Sequence, residues 1–143
     1  MIVRKGGILP SISESWYEVD TRIFTWFTFG VGLPMLLYGM VDGLNEYVEL
    51  LLVLSGASLI GVGCCPTFKN GGIFNVIHYV CALMAIIFGF TAGMFQAFQW
   101  GLWSFIVFAI AAIILKLFKI KNYTWWVEVF AFALIIQQFI TVV

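Results

Sequence analysis

Apolar residues in this chain gather into long blocks separated by short polar links, with no regular alternation of apolar and polar positions inside the blocks. The first block covers residues 23–41, between Arg22 and Asp42. The second covers residues 48–65 and is ended by Pro66. A continuous apolar tract of 45 residues, 73–117, comes next, and the last block covers residues 124–143. A helix rises ~1.5 Å per residue, so about 20 apolar residues cross the hydrocarbon core of a bilayer. The long tract therefore fits two helices and a tight turn, placed at residues 96–99. The expected fold is an all-α polytopic transmembrane bundle of five helices, near residues 23–41, 48–65, 73–95, 98–117 and 124–143. Residues 1–22 form a polar N-terminal segment and residues 23–143 the bundle. Helices buried in a soluble assembly carry a polar stripe, which these blocks lack. Gly30, Gly32 and Pro34 are expected to kink the first helix.

Composition sharpens this picture. Of 143 residues, 63% are hydrophobic and 10% charged, against about 45–50% and 25% in soluble domains. Five crossings leave no length for a separate catalytic domain. Seven basic and seven acidic residues cancel, with no basic run, so nucleic acid is excluded as an expected partner. Arg4 and Lys5 are followed by Gly6, Gly7, Pro10 and the polar run 11–20 instead of an apolar core, so no cleaved signal peptide is expected.

Charge placement predicts sidedness. Five crossings put Arg4, Lys5, Arg22, Lys69, Lys116, Lys119 and Lys121 on one side, whereas the other side carries Asp42, Glu46 and Glu49 and no Lys or Arg. The lysine and arginine bias then places the N-terminus in the cytoplasm and the C-terminus outside, in a cell or inner membrane. Tyr123, Trp125 and Trp126 supply an interfacial aromatic belt at the start of the fifth helix.

Small residues predict the helix contacts. Cys81, Ala85, Gly89 and Gly93 recur every four residues along the third helix, and Ala57 and Gly61 repeat the pattern in the second. Such stripes let helices approach closely, which favours contact between helices two and three. The alternative use of the stripe is a homo-oligomer seam.

Few residues are able to carry chemistry. His78 falls on the small-residue stripe, about 20° from Ala85 and Gly89 at 100° per residue, and is expected to point inward. Glu128 lies at a similar depth in the fifth helix. An ionisable group at that depth marks a functional site, so the two are paired as a proton relay or ligand contact. The alternative has His78 bonded to a backbone or loop group while Glu128 caps the fifth helix. Cys64, Cys65, His78, Cys81 and Glu128 are suitable zinc ligands by type. Adjacent cysteines do not readily share one ion and no Cys-x-x-Cys occurs, so no metal or other cofactor is expected; the single histidine excludes a haem with two axial histidines. Gly56-Ala57-Ser58 with His78 loosely resembles the rhomboid serine–histidine dyad, with Leu59 where that motif has glycine.

Three segments carry a wider resemblance. Leu9-Pro10-Ser11-Ile12-Ser13 precedes a membrane helix, Gly61-Val62-Gly63-Cys64-Cys65-Pro66 ends the next, and Ile77-His78-Tyr79 opens the third. Together, over residues 9–93, they resemble the damage-regulated autophagy modulator group, the fibroblast-growth-factor-receptor-activating proteins and related prokaryotic membrane families. The resemblance implies a polytopic protein of about six helices linked to lipid remodelling and membrane organisation. It also implies a non-cytoplasmic Pro-Ser-Ile-Ser segment after a first helix for which this sequence has no counterpart. The charge bias is followed for sidedness.

The expected function is thus non-enzymatic: binding of membrane lipids or a membrane-protein partner, with Pro10, Ser11 and Ser13 as a contact segment. The alternatives are a small proton-linked transporter or channel built on His78 and Glu128, and, more remotely, an intramembrane hydrolase.

Overall fold

A computed structural model describes residues 3–4, 7–8, 11–14, 17, 21–41, 44–65 and 71–142. Among the described residues the fold is a bundle of five long helices: α1 (Thr21–Tyr38), α2 (Glu46–Cys64), α3 (Gly72–Gln96), α4 (Phe98–Leu117) and α5 (Tyr123–Val142). A two-residue antiparallel ladder precedes them, β1 (Val3–Arg4) with β2 (Gly7–Ile8), in which Val3 faces Ile8. Pro10, Asp42, Pro66 and Lys69 lie outside the described residues.

Three of the helices, α2, α3 and α4, are long and apolar enough to cross a membrane. The surface agrees with that character. Trp26, Trp100 and Leu117 are 74%, 68% and 72% exposed, a cost in water that vanishes in lipid tails.

Local chemistry sets the helix ends. α1 stops three residues short of the expected Val41, because its last turn tightens: the N–H groups of Met40 and Val41 donate to the carbonyls of Leu37 and Tyr38. Asn45 caps α2, its side chain accepting from the Tyr47 N–H at 2.9 Å. Glu46 and Glu49 add negative charge at that positive helix end. Between α3 and α4 stands one residue, Ala97, at φ −143° and ψ 81°. α4 ends in a Schellman motif, with Ile120 N–H donating to Leu115 O and Lys119 N–H to Lys116 O. Lys119 takes the left-handed position, φ 49°, that glycine usually fills.

Two seams dominate the packing, α2 against α3 and α1 against α2. In the first, Ser55 Oγ donates to the Ala85 carbonyl at 2.8 Å. A Cβ on Gly61 would stand 2.8 Å from Cys81 Sγ, and one on Gly89 3.2 Å from both Ser55 Oγ and Ile135 Cδ1. Gly93 sits at the turn against Gly101 of α4. Ala57, expected in this stripe, is exposed. Its neighbour Gly56 points the other way, into α1.

The α1–α2 seam was not among the expectations. Gly32 and Gly56 meet backbone to backbone: a Cβ on Gly56 would lie 2.5 Å from Gly32 O. Gly63 leaves room for Thr28, whose Oγ1 would be 2.1 Å from a Cβ there. Gly39 packs against Glu49 and Leu52. Gly32 and Gly39, like Gly56 and Gly63, are seven residues apart, a spacing that returns to nearly the same helix face. Inside, Met35, Val48, Leu52, Phe90, Ala92 and Ile135 form the core.

Candidate functional site

The site forms where residues 11–14 fold against the bundle. Ser11 turns this segment, its Oγ accepting from the Glu14 N–H at 3.2 Å. The turn carries Ser11 and Ser13 to buried positions, 8% and 7% exposed. Buried polar groups need partners, and the segment finds them on α3 and α5.

His78, 2% exposed, is held from both ring nitrogens. Nδ1 lies 3.0 Å from the Cys65 carbonyl at the end of α2. A carbonyl only accepts, so Nδ1 carries the hydrogen. In the neutral ring Nε2 is then the acceptor, and the Ser13 hydroxyl donates to it across 3.0 Å. Phe24, tilted with its ring centroid 6.1 Å away, and Tyr79, edge-on at 5.7 Å, flank the imidazole.

Glu128 of α5 meets the adjacent residue of the same segment. The Ile12 N–H donates to its Oε2, and the Ser13 backbone also bonds the carboxylate. His78 and Glu128 therefore converge on consecutive residues, Ile12 and Ser13, which tie α3 to α5. His78 is bonded to a backbone carbonyl and a loop hydroxyl, as the alternative expected, whereas Glu128 binds loop amides, which neither expectation gave.

A partly enclosed cavity of about 70 Å³ begins at this junction. Ser13 and Glu128 form its polar end, and Phe24, Met35, Leu59 and Ile135 belong to its apolar wall. Ser55 and Thr28 also line it. Their hydroxyls donate to backbone carbonyls of Ala85 and of Thr25, at 2.8 and 2.9 Å. The cavity thus presents one carboxylate and one serine at one end of an apolar chamber, an arrangement suited to an amphipathic ligand.

Ser13 beside His78 has the geometry of a hydroxyl paired with a base that a third group orients. Hydrolysis also needs donors for the developing oxyanion. The Ile12 N–H beside Ser13 is engaged by Glu128, and a carboxylate there opposes negative charge. Ser58, the serine of the loose rhomboid-like pattern, is half-buried on α2. Among the described residues, no three His, Cys, Asp or Glu side chains are placed to share a metal ion, the five suggested ligands included.

Sequence reasoning singled out His78, Glu128 and Ser13 but did not join Ser13 to His78. The available signal was scarcity: a buried histidine in a bundle with few polar side chains draws its partner from the nearest polar segment. Comparison with family models, with curated proteins and with solved structures finds no match to this chain.

Proposed function

We propose that this chain is a multi-pass membrane protein whose five helices all cross the bilayer, N-terminus in the cytoplasm, and that it binds a membrane lipid without catalysis. The observation that carries this is the apolar cavity closed at one end by Ser13 and Glu128. An amphiphile bearing a hydroxyl or ammonium group would donate to the carboxylate and lay its chain against Leu59 and Ile135. Glu128 lies five residues into α5, about 7–8 Å along the helix axis, a depth near the headgroup boundary. The wide apolar outer surface and the one-sided placement of lysine and arginine support the crossings and their direction.

The test is native mass spectrometry of protein purified in mild detergent. Wild type is expected to retain one lipid through delipidation. Ala131→Phe, which fills the cavity from α5, is expected to lose it. Wild type that carries no lipid overturns the proposal.

A second reading, proton-linked transport, draws support from the Ser13–His78 hydrogen bond at 3.0 Å. The onward link to Glu128 runs through backbone amides, which do not pass protons along as hydroxyls and water do. This disfavours a relay through the observed bonds.

A further inference from the structure

The contact between α1 and α5 differs from the other seams. α1 packs on α2, while α5 packs on α4 and α3; backbone contact between α1 and α5 is sparse among the described residues. The two helices meet through the rings of Phe27 and Phe132, edge to face with centroids 5.0 Å apart. About one turn beyond this pair, a crevice of about 200 Å³ is lined by Gly30, Val31, Pro34, Met35 and Ile136. Val31 and Met35 also line the interior cavity. These two side chains form the partition between crevice and cavity.

We propose that this α1–α5 crevice is a lateral opening through which the acyl chain of the bound lipid passes between the interior cavity and the bilayer. The inference rests on the lipid-binding proposal and adds a route. Size requires one. The cavity measures about 70 Å³, far short of a full-length acyl chain, so a long chain anchored at Ser13 and Glu128 has to leave it.

Depth identifies the occupant as an acyl chain. With α1 crossing the bilayer as proposed, Gly30, nine residues into it and about 14 Å along the axis, falls near the middle of a ~30 Å hydrocarbon core. Headgroups do not reside there. The partition is suited to opening because Met35 is unbranched and changes rotamer readily, while Val31 is short. Gly30 leaves the outer mouth wide, since a Cβ built on it meets nothing within 4 Å.

That open space supplies the test. Protein is reconstituted into phosphatidylcholine vesicles doped with a phosphatidylcholine carrying a diazirine at mid-chain, irradiated, and digested. Wild type is expected to carry label on the inward-facing Leu59 and Ala85 as well as on the outward-facing Trp103. Gly30→Phe, whose Cβ meets nothing within 4 Å, is designed to plug the crevice and is expected to lower interior labelling about tenfold, leaving Trp103 labelling unchanged. Ile136→Trp plugs the same crevice from α5 and serves if Gly30→Phe folds poorly. Interior labelling that persists in both plugged variants overturns the lateral opening while leaving lipid binding intact. Interior positions unlabelled in wild type overturn lipid binding itself.

Discussion

The Ser13 hydroxyl and the Nε2 atom of His78, 65 residues apart in sequence, lie 3.0 Å apart in a buried site. The bond fastens the N-terminal segment to the bundle. Ser13→Ala would leave a buried ring nitrogen without this donor, at a cost of about 1–3 kcal/mol. Thermal denaturation in detergent is expected to show the loss. In a His78→Ala background the same change should cost much less, and fully additive losses would mean that the two side chains are not coupled.

The same pair tests for catalysis. With the Ile12 N–H engaged by Glu128, Ser13 lacks that donor for an oxyanion. A fluorophosphonate probe is therefore expected to leave Ser13 unmodified. Covalent labelling that His78→Ala abolishes would establish the hydrolase alternative.

Glycine substitutions should sort by what each faces. Gly56→Ala drives a Cβ to within 2.5 Å of Gly32 O, and rigid helix backbones do not give way cheaply. A loss of about 1–3 kcal/mol is expected, typical of overpacking. Gly89→Leu should likewise be destabilising, since Ser55 and Ile135 already stand 3.2 Å from its missing Cβ. Gly30→Ala, facing open space, should be neutral or slightly stabilising through helix propensity. Equal stabilities for all three would contradict the seams.

Transport separates from binding in proteoliposomes. Under an imposed pH gradient, vesicles with protein are expected to hold the gradient as long as protein-free vesicles do. Rapid dissipation by wild type that both His78→Ala and Glu128→Gln abolish would favour the transporter.

Sidedness is tested by a reporter fused at Val143, expected outside the cell. A cytoplasmic reporter would overturn the charge-based orientation.

The five helices were legible because apolar blocks of about 20 residues leave few other options. The turn at Ala97 fell inside the expected window, Gln96 to Gln99, although Ala is no turn signal. Contacts of Gly61 with Cys81 and of Gly89 with Ser55 follow from four-residue spacing. The Gly32–Gly56 crossing has a seven-residue spacing in each helix, and Gly32 stands among residues that suggest a kink, so its packing role was hidden. Least legible was the tucked segment at residues 11–14. Its position depends on which helices are neighbours, and apolar blocks without polar stripes do not encode their order around a bundle.

The single-residue link at Ala97 bears on how the protein is made. If α3 and α4 both cross the bilayer as proposed, no polar loop between them has to be carried through the hydrocarbon layer. The two helices can leave the insertion machinery together, as one preformed hairpin. Lengthening the Ala97 link with charged residues would then tax biosynthesis before it affected the finished bundle.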